Sequence, residues 1–243
     1  MALCLAESLI HCQDFDPVDQ MNRYCNWKQY GYMSVNGTCF DIGNTVSGAL
    51  DRYLYTGEPF SGSTDPYSAG NGSLMRLAPI VLAFHNDSEL LNYARDSSRT
   101  THGAEEAVDA CAVFADMLSR ALHGKDKASL FTQHSESAKT PSMAALQSGA
   151  FLDKSYDELC GSGYVIESLE AALWCFYHSE SYEEAILKAA NLGDDADTTA
   201  AICGQIAGAY YGYSGIPEKW VNRLHWTQTI SEKATLLYTS TIN

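Results

Sequence analysis

Apolar residues recur along most of this chain at intervals of three and four, the period of an α-helix that buries one face. Val46, Leu50 and Leu54 illustrate the spacing, and Asp16 followed by Pro17 is typical of a helix start. The alternation that marks β-strands is scarce. The pattern predicts helices over residues 2–10, 17–30, 45–55, 89–95, 104–122, 141–147, 164–177, 182–190, 198–211, 217–224 and 230–237. We therefore predict an all-α fold of roughly ten or more helices.

Three connecting segments, residues 32–39, 57–72 and 123–140, are rich in small and polar residues and are long for connectors. None of them is a hydrophilic linker between two hydrophobic cores, and the chain contains no internal repeat. We predict one compact domain over residues 1–243. The second segment leads into Gly70-Asn71-Gly72-Ser73 and then directly into an apolar helix, which makes it a candidate functional loop.

Acidic residues outnumber basic residues by 30 to 15, for a formal net charge of −15. Nucleic-acid backbones are bound by clusters of Lys and Arg, so this balance argues against a nucleic-acid partner. No apolar run approaches the roughly 18 residues of a membrane span, and the N-terminus lacks the features of a signal peptide. The eight cysteines include no C-x-x-C pair and are expected to be free thiols. We predict a cytoplasmic protein with no membrane partner.

The most acidic segment precedes the helix predicted at residue 198. Asp194, Asp195 and Asp197 lie within four positions, whereas one carboxylate is enough to cap a helix. A bound cation would offset the repulsion among the three carboxylates. Asp195, Asp197 and the Thr198 hydroxyl offer the oxygen ligands that Mg²⁺ or Mn²⁺ prefers. The alternative is a solvent-exposed acidic cap on a buried helix. From these residues alone, both interpretations stay open.

Five short motifs follow one another between Phe40 and Thr199, and the ordered set resembles the ADP-ribosylglycohydrolase family, which includes the dinitrogenase-reductase-activating glycohydrolases. Each motif by itself would be weak, but together they span most of the chain. The motifs are Phe40-Asp41-Ile42-Gly43-Asn44, Gly70-Asn71-Gly72-Ser73-Leu74-Met75-Arg76, Thr100-Thr101-His102, Gly161-Ser162-Gly163-Tyr164, and the G-x-D-x-D-T sequence that begins at Gly193.

The resemblance implies a helical fold with a cleft that holds two divalent ions, usually Mg²⁺ or Mn²⁺. Such enzymes hydrolyse the bond between C1″ of a ribose and an acceptor, so the implied partner is an ADP-ribosylated protein or an ADP-ribose-like small molecule. By position, Asp195, Asp197 and Thr198 would be metal ligands, and Asp41 and Asp195 would be catalytic. The implied substrate-binding residues are Asn44, Gly70, Asn71, Gly72, Ser73, Met75, His102, Gly163 and Tyr164.

Several of these residues have a purely structural alternative. Asp41 could cap the helix predicted at residue 45, and His102 could cap the helix predicted at residue 104. Asn71 and its glycines could form only a tight turn. The apolar pattern after Tyr164 favours a core aromatic over a stacking surface, and Arg76 is expected to make a buried salt bridge.

The family pattern begins earlier than this chain. It starts with a G-D-A-x-G-like segment and a T-D-D-T motif that supplies further metal ligands, and the residues from Met1 to Leu9 resemble the stretch that follows T-D-D-T. We therefore expect at most one weakly bound metal ion and little or no glycohydrolase activity in this polypeptide. An uncovered apolar face would favour a homo-oligomer.

Three functions follow from this reading of the sequence. The first is an ADP-ribosyl hydrolase, and the second is an ADP-ribose-binding module without catalysis. The third is a structural helical subunit whose acidic patch has no ligand. The sequence does not name the acceptor of the ADP-ribosyl group or choose between the two metals.

Overall fold

A computed structural model describes residues 1–135 and 137–239. Its described part contains thirteen α-helices, numbered in chain order, and five short 3₁₀ helices. The α-helices are α1 (Ala2–Cys12), α2 (Pro17–Tyr30), α3 (Asn44–Thr56), α4 (Ala78–Phe84), α5 (Leu90–Arg99), α6 (Glu105–Leu122), α7 (Lys127–Thr132), α8 (Pro141–Gln147), α9 (Val165–Tyr177), α10 (Tyr182–Ala190), α11 (Ala196–Tyr211), α12 (Glu218–Val221) and α13 (Thr227–Thr239). The 3₁₀ helices are Pro66–Ser68, Leu74–Arg76, Ala150–Asp153, Tyr156–Glu158 and Tyr213–Gly215. The prediction of an all-α fold is confirmed.

Side-chain caps explain where several helices begin. Asp16 accepts hydrogen bonds from the amides of Val18 and Asp19 ahead of α2, as its pairing with Pro17 predicts. Thr140 accepts from the Met143 amide at the start of α8. Asp126 caps α7 in the same way, through the Ser129 amide.

The helix α6 lies at the centre of the molecule and is buried on almost every side. It packs against α5, α9 and α11. Small side chains such as Ala107, Ala110 and Ala115 let these neighbours approach closely, while Phe114 and Leu118 fill the larger spaces. The apolar residues around it belong to one hydrophobic core that reaches from Cys4 to Leu237.

The sequence pattern missed α7, and it gave no bounds for α4, although an apolar helix was expected directly after Ser73. In α4, the residues Ala-Pro-Ile-Val-Leu-Ala-Phe are all apolar, so there is no polar face from which a helical period could be read. The helix α7 has only six residues and falls inside a segment that looks like a loop. The helix α5 was predicted but continues to Arg99 rather than ending at Arg95. The polar residues Ser97 and Ser98 interrupt the apolar pattern in the sequence, yet both are buried in the structure.

Two long helices, α9 and α11, begin close together, and each follows a short loop. The amide of Asp195, immediately before α11, donates a hydrogen bond to the carbonyl of Gly161, shortly before α9 (2.9 Å). In the described part of the chain, β-structure is limited to two isolated bridges, Ser63 with His102 and Gly70 with Tyr164. No helix within it is both long and apolar enough to cross a membrane.

Candidate functional site

Three loops meet at one point of the surface: residues 70–73 before α4, residues 161–164 before α9, and residues 193–195 before α11. The Asn71 amide donates to the Gly163 carbonyl (3.1 Å), and the Val165 amide donates to the Ala69 carbonyl (3.0 Å). With the bond from Asp195 to Gly161, these backbone contacts join three segments that lie far apart in the chain. The loops therefore form one rigid rim.

The Asn71 side chain lies at the centre of this rim and is 7% exposed. Its Nδ2 donates to Asp195 Oδ2 (2.7 Å) and to Ser168 Oγ (3.1 Å), with a longer contact to the Ser162 carbonyl (3.5 Å). Asn71 thus has a role beyond the tight turn that the sequence alone allowed, because it connects the acidic segment to the other two loops.

Replacing Asn71 with alanine is expected to lower the free energy of unfolding by about 2 kcal/mol, because a buried hydrogen bond to a carboxylate is lost and Ser168 loses a donor. Chemical denaturation measures the change. Gln228→Ala is the matched control, since the Gln228 amide donates to Glu232 at 2.8 Å on the surface, and its loss should cost less than about 0.5 kcal/mol. Equal losses in the two variants would contradict a central role for Asn71.

His102 lies directly beneath the 70–73 loop and is 2% exposed. A Cβ atom added to Gly72 would come within 2.8 Å of His102 Cε1, so only glycine fits over the imidazole ring. The Nδ1 atom is 2.9 Å from the Thr101 hydroxyl. The helix-cap alternative for His102 is wrong, because Ala104 is the N-cap residue of α6.

Burial, followed by the nearby Arg76 guanidinium, lowers the pKa of His102 to about 3. In the unfolded chain the pKa is near 6.5, so between these values the unfolded state binds the additional proton. The contribution of His102 to the free energy of unfolding is therefore fully present above pH 6.5, and it decreases as the pH falls towards 3. From pH 7.5 to pH 5 we expect this residue to cost about 2 kcal/mol of unfolding free energy.

The His102→Gln variant isolates this term, because glutamine does not titrate. Its unfolding free energy should decrease by about 2 kcal/mol less than that of the wild type over the same pH range. Urea denaturation at several pH values measures both slopes. Parallel slopes would mean that His102 accepts a proton as easily in the folded state as in the unfolded state.

Arg76 is 2% exposed and extends under the same loop. Its Nη1 donates to the Gly72 carbonyl (3.1 Å), and its Nη2 lies within hydrogen-bond distance of the Ser97 carbonyl (3.1 Å) and of the Thr100 and Thr101 hydroxyls (3.2 and 2.8 Å). These described partners are all neutral oxygens. The expected buried salt bridge is therefore wrong: carbonyl and hydroxyl groups solvate this cation instead.

An open cleft of about 620 Å³ lies against the rim, lined by Thr45, Pro66, Tyr67, Ser68, Ala69, Gly70, Glu106, Gly163 and Tyr164. A second hollow of about 810 Å³ shares Pro66, Ala69 and Glu106 with it. Asp195 Oδ2 is close to the first cleft, since a Cβ atom on Gly163 would lie 3.9 Å from it. The cleft volume falls within the range of small-molecule sites.

Glu106 joins the two hollows. Its carboxylate accepts hydrogen bonds from the Tyr164 hydroxyl (2.7 Å) and from the Ser142 hydroxyl (2.5 Å). Burial and the bond to Glu106 raise the pKa of Tyr164 to about 12, so the phenol stays a neutral donor at physiological pH. Tyr164 is 37% exposed at the cleft, and its interpretation as a core aromatic is therefore wrong.

The candidate metal ligands lie at the start of α11. Asp195 is the N-cap residue, yet its side chain caps no amide of the helix and bonds to Asn71 instead. Asp197 is exposed, and its Oδ1 accepts from the Thr198 amide (2.9 Å). Thr198 is 8% exposed. The simple acidic-cap alternative therefore does not describe Asp195.

These donors suit a hard divalent cation by type, because Mg²⁺ and Mn²⁺ take carboxylate and hydroxyl oxygens. Three such groups fill part of a six-donor shell. Within residues 1–135 and 137–239, no group of three or more His, Cys, Asp and Glu side chains is arranged to hold a metal ion.

The sequence matches the ADP-ribosylglycohydrolase family model over residues 1–242. The chain belongs to the ADP-ribosylglycohydrolase family. It is 42% identical over 239 residues to an ADP-ribosylarginine hydrolase Tri1 of Pseudomonas putida (strain GB-1), covering 98% of this chain and 64% of that protein. It is 40% identical to the protein of the same name from Serratia proteamaculans (strain 568), covering 98% and 65% respectively.

A solved structure described as an ADP-ribosylglycohydrolase-related protein complex has the same fold, with a TM-score of 0.85 and 41% sequence identity. The alignment covers 99% of this chain and 79% of that chain. An ADP-ribosyl-[dinitrogen reductase] glycohydrolase of Rhodospirillum rubrum is more distant, at 26% identity over 92% of this chain and 71% of that protein. The chain thus spans just under two thirds of the length of the two ADP-ribosylarginine hydrolases.

The glycohydrolase motifs brought together by contacts are those around Gly70, Asn71, His102, Gly163 and Asp195. Asp41 and Asn44 are exposed, and Asp41 has a left-handed backbone with φ of 49°. Asp41 does not cap α3, whose N-cap residue is Gly43, so that alternative is wrong. Asn44 is the first residue of α3 and precedes Thr45, which lines the cleft.

Ser73 in the 70–73 loop, called the glycine loop below, and Met75 in the 3₁₀ helix that follows differ in where their side chains lie. Ser73 is buried, with its hydroxyl 2.9 Å from that of Ser98, and the Cys111 thiol donates to it. The Ser73 side chain therefore supports the loop from below, and only its backbone remains for a ligand. Met75 is 36% exposed.

Sequence reasoning missed Glu106 as a cleft residue. It follows Glu105 in the first turn of α6, where two carboxylates are ordinary partners of the helix dipole, so nothing in the local pattern distinguishes it. The hydrogen bond to Tyr164 connects positions 58 residues apart, which no sequence spacing could indicate.

Proposed function

We propose that this chain forms the ADP-ribosyl site of a hydrolase that cleaves the bond between C1″ of the ribose and an arginine acceptor on a protein. The observation that carries the proposal is the Asn71–Asp195 hydrogen bond, which holds a candidate cation ligand beside the glycine-lined cleft. Membership of the family supports the hydrolytic chemistry. Arginine as acceptor is supported by the names of the relatives at 42% and 40% identity.

In this proposal Asp195, Asp197 and Thr198 are the residues that would hold a Mg²⁺ or Mn²⁺ ion. When bound, the cation supplies Lewis acidity and lowers the pKa of a coordinated water. Asn71 orients Asp195 by donating to Oδ2, which leaves Oδ1 for the cation. Because three protein donors make a weak site, we expect a metal dissociation constant on the order of millimolar.

The remaining cleft residues bind and orient the ADP-ribosyl group. Glycine at positions 70, 72 and 163 leaves the backbone open to close approach by phosphate or ribose oxygens. His102 offers a ring nitrogen from beneath the loop, and Tyr164 borders one end. Asp41, with Asn44 beside it, remains a proposed second carboxylate near the ribose.

We place this activity in the cytoplasm. The eight cysteines are all free in the structure, and five of them are buried, which suits a compartment that keeps thiols reduced. Burial raises the pKa of Cys203 and Cys175 and keeps both thiols protonated, so the role of these two is structural.

The direct test uses a peptide that carries ADP-ribose on one arginine, with the protein and Mn²⁺ or Mg²⁺ from micromolar to millimolar. We expect slow release of free ADP-ribose and unmodified peptide, in line with the weak activity expected from the sequence, with a rate that rises through the millimolar metal range and disappears on chelation. The same peptide modified on serine should react more slowly. Mass spectrometry follows both products.

Calorimetry with ADP-ribose distinguishes the alternatives. Binding without turnover at any metal concentration would replace the hydrolase with a binding module. Neither binding nor turnover would leave the structural subunit.

A further inference from the structure

Arg76, Thr101 and His102 form a continuous hydrogen-bonded chain beneath the glycine loop. We infer that Arg76 acts through Thr101 to hold His102 as the neutral Nε2–H tautomer, so that the cleft receives one fixed N–H donor aimed at an oxygen of the ADP-ribosyl group. Arg76 and Thr101 are positioning residues in this scheme. The identity of the ligand rests on the proposed function, whereas the state of the ring does not.

In the hydrogen bond between Arg76 and Thr101, only Arg76 can be the donor. A guanidinium has donors and no acceptor, so the contact of 2.8 Å between Arg76 Nη2 and Thr101 Oγ1 places a proton of Arg76 on a lone pair of the threonine. Thr101 Oγ1 is therefore an acceptor towards Arg76.

The second link follows from the single proton of a hydroxyl group. The other partner of Thr101 Oγ1 among the described residues is His102 Nδ1, at 2.9 Å. If Nδ1 carried a proton, the Thr101 hydroxyl would accept twice and its own proton would have no acceptor inside the protein. That arrangement is costly for a residue with no exposed surface. The Thr101 proton therefore points to Nδ1, and the ring proton belongs on Nε2.

The third link is the position of Nε2. A Cβ atom added to Gly72 would lie 3.1 Å from it, and one added to Gly70 would lie 3.5 Å from it. Gly70 lines the 620 Å³ cleft. Among the described residues, Nε2 has no hydrogen-bond partner. It does not belong to the fully buried polar atoms that lack a partner, so part of its surface is open. The N–H group therefore remains available to a ligand oxygen at the glycine loop.

The arrangement also excludes the charged form of the ring. A second proton on His102 would face Thr101, whose own proton is already committed, and would place a cation beside the buried Arg76 guanidinium. The lowered pKa of His102 agrees with this geometry. His102 thus recognises a hydrogen-bond acceptor as a neutral donor, and Arg76 holds the loop above the ring through the Gly72 carbonyl.

Long-range ¹H–¹⁵N NMR spectra of the ligand-free, ¹⁵N-labelled protein test the state of the ring directly. The chain has seven histidines, and the His102 signal is assigned by its absence from the His102→Gln spectrum. We expect the Nε2–H pattern with no titration between pH 5 and pH 8. A protonated Nδ1, or an imidazolium in that range, would overturn the inference, and no variant of Thr101 needs to fold for this result.

Variants of Thr101 and Thr100 test whether Arg76 fixes the tautomer of His102 through the Thr101 hydroxyl. Thr101→Val should give mixed tautomers and bind ADP-ribose about tenfold more weakly, whereas Thr101→Ser should keep both properties of the wild type. Thr100→Val is the matched control, because it removes a hydroxyl that also contacts Arg76 (3.2 Å) but not His102. An unchanged tautomer and an unchanged ADP-ribose affinity in Thr101→Val would refute the claim that Arg76 acts on His102 through Thr101.

The two proposals fail in different ways. If the wild type shows the expected tautomer but does not bind ADP-ribose, the proposed function is wrong and the donor serves another ligand. If ADP-ribose binds and His102 is protonated on Nδ1, the inference is wrong and the proposed function stands.

Discussion

The Asp195→Asn variant is expected to hydrolyse ADP-ribosylarginine at least about a hundredfold more slowly than the wild type. The substitution keeps the shape of the side chain and can still accept the Asn71 hydrogen bond through its amide oxygen, but it removes the negative charge from the proposed cation site. Loss of one electrostatic partner of a transition state costs about 10²–10³ in rate in enzymes of known mechanism. Initial rates at saturating Mn²⁺ measure the effect.

The matched control for Asp195→Asn is Asp194→Asn, which removes the same charge one residue earlier. Asp194 is exposed and has a left-handed backbone with φ of 57°, a conformation that asparagine tolerates. Its rate should remain within about twofold of the wild type, as for surface substitutions away from a site. Similar losses in both variants would show that only the net acidity of the segment matters.

The Gly62→Ala variant is expected to lose about 3 kcal/mol of unfolding free energy, the upper part of the range for overpacking. An added Cβ atom would lie 2.5 Å from the Gly103 amide nitrogen, 2.6 Å from the His102 amide nitrogen and 2.7 Å from the Arg99 carbonyl oxygen. All three are backbone atoms, so no side chain can turn away. Urea denaturation measures the loss.

The control for Gly62→Ala is Gly48→Ala, which lies inside α3. An added Cβ atom there meets only the Arg52 guanidinium, at an ordinary distance of 3.6 Å. Alanine should therefore stabilise the protein by about 0.5–1 kcal/mol, the usual gain in a helix interior. A stable Gly62→Ala protein would mean that the 57–72 segment is not pressed against the end of α5.

The helical period and the cap residues were sufficient to predict most of the fold. Pro17 after Asp16 and Pro141 after Thr140 mark helix starts because the reason is local: a side chain satisfies the first free amides. The bounds of α4 could not be predicted in this way, because its seven residues are all apolar and show no period. Its helical state is decided by its neighbours in the core.

The sequence predicted those parts of the candidate site whose residues belong to a recognisable motif. The residues around Asn71 and Asp195 were identified from their motifs, and their contact joins positions 124 residues apart. The partner of Asn71 was not predictable, since nothing in the sequence says that its amide faces a carboxylate. Glu106, Thr101 and the neutral surroundings of Arg76 likewise depend on long-range packing that no local pattern encodes.

The rim of the cleft is held together chiefly by main-chain groups, through the bonds from Asn71 to Gly163, from Asp195 to Gly161 and from Val165 to Ala69. Peptide groups are the same whatever side chains they carry. Mutations of cleft side chains that make no bond across the rim can therefore alter the preference for one acceptor over another while the three loops keep their relative positions. Asn71 and Gly72 are the exceptions, because one bonds across the rim and the other lies against His102. Outside such positions, the scaffold lets substrate choice evolve, or be engineered, at little cost to folding.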